Sequence, residues 1–175
     1  MLEDIEIHEV RESEYAAAGA ATARAYREFA LPGSAGWEAY LERIADVAGR
    51  AGRTTVLVAS VGGEIAGSAT LEVEVRMNPE STEPLAPDEA HLRMLGVAPS
   101  YRGRGIARRL VVACIDVARA RGKRRLTLET APVMTAAQQL YTSMGFASTG
   151  DRVTSDGMRL LEYSRSIEAE PMPTR

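Results

Sequence analysis

The residues best suited to chemistry lie in one turn that joins an apolar segment to a long helical pattern. Glycine alternates with arginine in the order Arg102-Gly103-Arg104-Gly105, and Ile106-Ala107 then opens the predicted helix. Glycines let a ligand approach the backbone closely, and the first N–H groups of a helix have no carbonyl partner within it. This glycine-arginine turn (residues 102–107) therefore predicts an anion site, and the arginines favour a pyrophosphate.

The distribution of charge favours one compact polyanion over a nucleic acid. The chain of 175 residues has a formal net charge of −3, with 21 lysines and arginines against 24 acidic residues. Nine of those cations, with Asp116 as the single acid, fall between Tyr101 and Arg125. A local basic patch on an acidic chain suits a small anionic ligand, whereas a nucleic-acid-binding domain is usually basic as a whole. We expect no nucleic-acid partner.

Composition narrows the class of protein further. A hydrophobic fraction of 45% is ordinary for a globular chain, and no apolar run approaches the ~20 residues of a membrane span, so no membrane partner is expected. The single cysteine, Cys114, cannot form an internal disulfide, and it is expected in a helix core, which favours the cytoplasm. Two histidines and one cysteine are too few for a zinc site, so no metal is expected.

Hydrophobic periodicity predicts the element order β-α-α-β-β-β-α-β-α-β-β, an α/β chain with a mixed sheet and helices on both faces. A single domain is expected over residues 1–167, followed by a disordered tail over 168–175. The predicted strands are 5–10, 54–59, 65–75, 90–97, 126–130, 146–153 and 158–167. The predicted helices are 13–29, 37–47, 106–122 and one that begins with a capping box at Thr135 and ends at Gly145.

Three phosphate-binding patterns can be compared with the turn. A Walker loop needs Gly-Lys-Ser/Thr, and a dinucleotide fingerprint needs glycine where Arg108 stands, so neither fits. The pattern Arg/Gln-x-x-Gly-x-Gly/Ala is met at Arg102, Gly105 and Ala107. With this motif, with Leu95-Gly96-Val97-Ala98-Pro99 before it and with AQQLYTSMGF at residues 137–146 after it, the chain resembles the GCN5-related N-acetyltransferase (GNAT) family.

The resemblance implies that acetyl-coenzyme A (acetyl-CoA) binds where the central strand and the strand at 126–130 splay apart. Backbone N–H groups of the turn would hold the diphosphate, the backbone of Leu95 and Val97 would bond the pantetheine arm, and the Val97 N–H would meet the oxyanion. The family often has an asparagine where Met134 stands, so that pantetheine contact is lost or replaced. The expected donor-binding residues are Leu95, Gly96, Val97, Arg102, Gly103, Arg104, Gly105, Ile106 and Ala107.

The family transfers the acetyl group directly to an amine, which requires a base and an acid. The resemblance makes Tyr141 the acid that protonates the departing thiolate. His91 begins the central strand, where many members carry a glutamate, and strand alternation puts it on the face of Leu95 and Val97. A histidine titrates near ~6.5, which suits it to accept the proton. The alternatives for the base are Glu129, Glu72 and Glu74.

The acceptor site is expected in residues 26–40 and 76–89. The amine is a small molecule or a peptide or protein, and a small molecule is favoured because no extended basic or apolar docking surface is evident. Phe29, Trp37 and Tyr40 fit a pocket and core packing alike. The acids of the second segment fit a cation site and a solvated loop alike; they are Glu80, Glu83, Asp88 and Glu89.

Three further expectations stay open. A homodimer would cover the edge strands of the last hairpin. Rival functions are a non-catalytic acyl-CoA sensor or partner-binding module, and an acyltransferase that uses a longer donor such as succinyl-CoA.

Overall fold

Strands and helices follow one another in the predicted order in the computed structural model, which describes residues 4–30, 33, 35–76 and 84–168. The strands are β1 (Ile5–Glu9), β2 (Thr55–Val61), β3 (Glu64–Glu72), β4 (Glu89–Val97), β5 (Arg125–Thr130), β6 (Ala147–Val153) and β7 (Arg159–Ser166). The helices are α1 (Tyr15–Arg27), α2 (Ala35–Ala45), α3 (Ala48–Ala51), α4 (Ile106–Ala120) and α5 (Thr135–Ser143). The seven strands form one sheet in the order β1-β2-β3-β4-β5-β7-β6, which confirms the predicted fold class and makes β4 central.

The differences from the predicted elements are small and local. A 3-10 turn at Glu12–Glu14 precedes α1, where the sequence predicts the helix itself. The four-residue helix α3 was not predicted, because one turn is too short to show a helical period. Residues 77–83 of the predicted loop and residues 169–175 of the expected disordered tail lie outside the described residues.

The first compact unit comprises Met1–Glu72 and Leu92–Cys114. In it β1 pairs antiparallel with β2, and β2 pairs antiparallel with β3. The turn between β2 and β3 has Gly62 and Gly63 at φ of +58° and +85°. A two-residue turn with both central residues at positive φ matches the twist of the strands, so the predicted glycine hairpin is confirmed.

The core of the first unit forms between β2 and the helices beside it. Each position of β2 is buried, and Val56 and Val58 pack against Ala18 of α1. A Cβ atom on Gly19 would lie 2.1 Å from the carbonyl oxygen of Ala45, so only glycine lets α1 approach the end of α2 this closely.

The second compact unit comprises Val73–His91 and Ile115–Arg175. Here β5 pairs antiparallel with β7, and β7 pairs antiparallel with β6, with a bulge between Ser148 and Gly150. Its buried apolar residues include Leu126, Leu128, Phe146 and Ile167.

Helix α4 follows the predicted apolar stripe. Its buried side chains recur at helical spacing along one face: Ile106, Leu110, Val111, Cys114, Ile115 and Ala118. Burial raises the pKa of the Cys114 thiol to about 12, which suits a packing residue and not a nucleophile. Among the helices of the described segments, none is long and apolar enough to cross a bilayer.

The start of α5 differs from the prediction. Its N-cap is Met134, whose side chain makes no capping hydrogen bond, so the predicted capping box at Thr135 is wrong. The Gln138 amide instead donates to the carbonyl oxygens of Pro132, at 2.9 Å, and Ala131, at 3.3 Å. Thr135 thus lies one position inside the helix, where a hydroxyl does not cap. The predicted end of the helix at Gly145 is confirmed by its φ of +83°.

Candidate active site

Both glycines of the glycine-arginine turn have a left-handed backbone conformation. A short 3-10 turn at Pro99–Tyr101 ends β4, and Gly103 and Gly105 then adopt φ of +78° and +74° before α4 begins. Among the described residues, and apart from each glycine's own chain neighbours, no heavy atom lies within 4 Å of the place where a Cβ atom would stand on either glycine. The left-handed backbone, and not crowding inside the protein, therefore requires glycine here, and open space remains over both residues.

The start of α4 supplies a second feature for an anion. The helix spans 15 residues, and its first turn carries no acidic side chain. The N–H groups of Ile106 and Ala107 have no carbonyl four residues earlier within the helix, and the helix dipole adds partial positive charge at the same end. These features fit the diphosphate of an acyl-CoA.

The Arg102 side chain makes hydrogen bonds and an ion pair within the protein. Its guanidinium donates to the carbonyl oxygens of Ala25, at 3.1 Å, and Val97, at 3.3 Å, and pairs with Glu28 at 2.6 Å. The Arg102 N–H also donates to the Pro99 carbonyl oxygen at 3.3 Å. Arg102 thus ties the turn to the end of α1 and to Val97, and the later N–H groups are the ones that suit an anion.

The Arg104 side chain also contacts the protein. Its guanidinium carbon lies 5.4 Å from the centroid of the Tyr101 ring, a cation–π geometry. The Tyr101 hydroxyl donates to Glu64 at 2.5 Å, and this hydrogen bond raises the pKa of the hydroxyl.

Strand β4 is not regular where it approaches the turn. Met94 has a φ of +53° and is the one non-glycine residue at positive φ in the described part of the chain. A left-handed residue interrupts the alternation of side chains, so the expectation that His91 shares a face with Leu95 and Val97 does not carry across this position. Methionine is not a turn former, so nothing in the sequence signals the irregularity.

Close packing against α1 requires glycine at position 96. A Cβ atom there would lie 3.0 Å from the Cβ of Ala25 and 3.2 Å from Cγ2 of Thr22, both on α1. The first unit thus brings together the residues expected to bind the donor: Leu95, Gly96, Val97, Arg102, Gly103, Arg104, Gly105, Ile106 and Ala107.

The candidate acid, Tyr141, lies in the second unit on α5. It is only 5% exposed, and its ring meets Phe146 edge-on with centroids 5.7 Å apart and Tyr163 at 6.3 Å. The ring therefore contributes to packing as well as offering a hydroxyl, and packing fixes where the hydroxyl points.

The candidate base, His91, is also in the second unit and is 5% exposed. Its Nδ1 lies 2.8 Å from the Thr127 hydroxyl oxygen. The charge of His91 contributes to the lowered pKa of Glu129, so these two predicted residues lie within electrostatic range of each other.

Glu129 differs from His91 in its partners. Its two carboxylate oxygens accept from Arg152 at 2.7 and 3.0 Å, and Arg76 lies 3.8 Å away. Burial alone would raise the pKa of this carboxyl, but the hydrogen bonds and charge of Arg152, with smaller contributions from His91 and Arg76, leave it lowered. A carboxylate held ionised by arginines is a poor proton acceptor at neutral pH, which favours His91.

The two remaining acids considered for the base differ in how deeply they are buried. Glu72 is almost fully buried in the first unit and accepts from Arg93 at 3.0 Å. Glu74 is exposed.

The aromatic residues expected near the acceptor pack on one another. Tyr40 meets Tyr26 with ring centroids 6.1 Å apart and Trp37 at 5.8 Å, both nearly edge-to-face. Of the acids in the other segment, Glu80 and Glu83 lie outside the described residues. Glu89 accepts from Thr127 and pairs with two arginines. Sequence reasoning missed Thr127, Arg152 and Arg76, because partners so far apart along the chain leave no local pattern.

Comparisons with known proteins identify the family of this chain. The model of the acetyltransferase (GNAT) family matches residues 20–146, so the chain belongs to that family and the resemblance is confirmed. Mouse N-acetyltransferase 8 is 31% identical over 117 residues, covering 67% of this chain and 49% of that protein. A [ribosomal protein bS18]-alanine N-acetyltransferase of Haemophilus ducreyi is 44% identical over 59 residues, or 34% of this chain and 41% of that protein. The chain thus spans about half the length of the curated N-acetyltransferase 8 proteins it matches.

Solved structures support the fold. The ribosomal-protein-S18-alanine N-acetyltransferase of Escherichia coli aligns with a TM-score of 0.68 at 23% identity, over 98% of this chain and 99% of that one. The yncA protein of Salmonella typhimurium, solved with its cofactor acetyl-CoA, aligns with a TM-score of 0.68 at 19% identity, over 97% and 98% of the two chains.

Proposed function

We propose that this protein is an N-acetyltransferase that transfers the acetyl group of acetyl-CoA directly to a primary amine. The observation that carries the proposal is the glycine-arginine turn, whose two left-handed glycines open space over the first turn of a 15-residue helix. Membership of the GNAT family selects an acyl-CoA among the pyrophosphates that such a turn could bind.

The donor is held mainly by backbone atoms in this proposal. N–H groups from Gly103 to Ala107 bond the diphosphate, and the backbone of Leu95 and Val97 bonds the amides of the pantetheine arm. The Arg102 side chain supports donor binding indirectly, because it bonds the carbonyl oxygens of Val97 and of Ala25 at the end of α1.

The chemical roles follow from what direct transfer requires. An alkylamine has a pKa near ~10.4 and must lose a proton before it attacks, and His91 is the proposed acceptor of that proton. The amine nitrogen then bonds to the acetyl carbon, whose oxygen becomes an oxyanion that the Val97 N–H stabilises. As the carbon–sulfur bond breaks, Tyr141 gives its proton to the thiolate.

A peptide N-terminus is the acceptor that a specific observation favours over a small-molecule amine. A relative in the sequence comparison and one in the structural comparison are both named as alanine N-acetyltransferases of a ribosomal protein. A reducing compartment such as the cytoplasm is the proposed location, because the one cysteine, Cys114, is buried as a thiol.

Calorimetry of CoA with the wild-type protein is the first test. We expect saturable heat with one site per chain. Acetyl-CoA is then supplied with two acceptor sets, alanine-initiated peptides and small alkylamines, and free thiol is measured. No heat with CoA would overturn the proposal. Binding without thiol release above the blank would identify the non-catalytic sensor, and equal rates with succinyl-CoA would change the donor.

A further inference from the structure

Three polar side chains form a continuous hydrogen-bonded chain in the second unit. The Glu89 carboxylate oxygen Oε1 lies 2.7 Å from the Thr127 hydroxyl oxygen, which lies 2.8 Å from Nδ1 of His91. Glu89 and His91 are two residues apart on β4, and Thr127 faces them from β5. We call this group the Glu89–Thr127–His91 chain.

The carboxylate at its far end forms ion pairs with two arginines. The Glu89 side chain is 12% exposed, and its oxygens lie 3.3 Å from Nη2 of Arg125 and 3.5 Å from Nη2 of Arg76. An ionised carboxylate can only accept hydrogen bonds. The short contact between Glu89 and Thr127 therefore requires the hydroxyl hydrogen to lie between them.

The position of that hydrogen decides which ring nitrogen of His91 is protonated. A threonine hydroxyl has one hydrogen, and its other acceptor in reach, the Ala90 carbonyl oxygen at 3.3 Å, is also unable to donate. Because Glu89 receives that hydrogen, the hydroxyl can offer His91 only a lone pair. Nδ1 must then donate, because otherwise two lone pairs would face each other at 2.8 Å.

We propose that Thr127 and Glu89 are positioning residues that hold neutral His91 with its hydrogen on Nδ1 and its basic lone pair on Nε2. The inference rests on the proposed function, in which His91 accepts the proton of the amine. That proton goes to Nε2, and the resulting imidazolium already donates through Nδ1 toward a carboxylate that stabilises its charge. Solvent takes the proton afterwards, so His91 returns to the same tautomer.

The test reads the tautomer directly by nitrogen NMR of the ring, at a pH where histidine is neutral. The chain has only two histidines, and a His8→Gln background leaves His91 as the single signal. We expect the pyrrole-type shift on Nδ1 and the pyridine-type shift on Nε2. Thr127→Val keeps the side-chain shape but removes the hydroxyl, so the ring should change to the Nε2–H form that histidine prefers in water. Thr127→Ser should restore the Nδ1–H form.

Kinetics supply the second readout. Thr127→Val should lower kcat about tenfold, with KM for acetyl-CoA unchanged and with recovery in Thr127→Ser. Thr54→Val is the matched control, since it also removes a buried hydroxyl that bonds a carbonyl, in the first unit. It should alter neither the tautomer nor kcat.

The outcomes separate the two proposals. An Nε2–H ring in the wild-type background overturns the tautomer assignment, whatever the activity. A tautomer change in Thr127→Val with unchanged kcat overturns the positioning role. An Nδ1–H ring in a protein that acetylates no amine overturns the proposed function alone.

Discussion

The glycine-arginine turn and the Glu89–Thr127–His91 chain differ in the atoms that they offer to a substrate. The turn offers backbone N–H groups, and the side chains of Arg102 and Arg104 contact the protein itself. The chain around His91 offers one ring nitrogen, and its properties depend on residues of other strands and loops. A site made of backbone N–H groups tolerates most side-chain substitutions but not a change of backbone conformation. A site made of side chains is instead sensitive to substitution of those side chains.

The largest expected effect tests the backbone site. Gly105→Leu should abolish measurable CoA binding, because it forces a side chain into the open space over the turn and strains a φ of +74°. Gly157→Leu is the control, since Gly157 has a φ of +86°, also with open space, in a hairpin turn of the other unit. Calorimetry should show normal CoA heat for the control and none for Gly105→Leu. Equal heats would mean that the diphosphate binds elsewhere.

The next effect tests the side-chain site. Tyr141→Phe should lower kcat by ~10²-fold, the lower end for general acid catalysis, with CoA affinity unchanged. The phenylalanine ring keeps the packing against Phe146 and Tyr163, so thermal unfolding should change little. A normal turnover rate would leave Tyr141 with a packing role only.

A smaller effect concerns the ion pair beside His91. Glu129→Gln should lower the free energy of unfolding by about 2 kcal/mol at neutral pH, because it breaks a paired carboxylate with two charged hydrogen bonds. The folded pKa of Glu129 is lowered, so this stability is present above the ordinary value of 4.5 and is lost as the pH falls below it. Denaturant unfolding at several pH values should therefore show the wild type and the variant converging in acid. A gap that stays constant would contradict the lowered pKa.

The smallest effect concerns the anchor of the turn. Arg102→Ala should weaken CoA binding about tenfold, because the turn loses its bonds to Ala25 and Val97 while its glycines remain. Arg102→Gln should weaken it less, since an amide can replace one of the two bonds to carbonyl oxygens. If both variants bound CoA with wild-type affinity, the turn would be held without this anchor.

The sequence predicted the sheet, the hairpin at Gly62-Gly63 and the place of the glycine-arginine turn between a strand and a helix. Each of these depends on residues close together in the chain, and glycine at positive φ is a signal that a single position carries. The predicted capping box at Thr135 was wrong because it depends on the exact residue at which the helix begins. One residue of shift at a helix start changes which side chain can cap, and the sequence pattern does not resolve that shift.

By itself the sequence determined the fold class and the place of the glycine-arginine turn between a strand and a helix, because hydrophobic period and glycine placement act over a few neighbouring residues. Only the tertiary structure decided that Arg102 holds the turn, that Met94 interrupts β4 and that Thr127 and Glu89 orient His91. Thr127 is 36 residues from His91, and the Arg102 guanidinium reaches Ala25 across 77. Such pairs form only when strands and helices pack against each other, so no local pattern in the sequence predicts them.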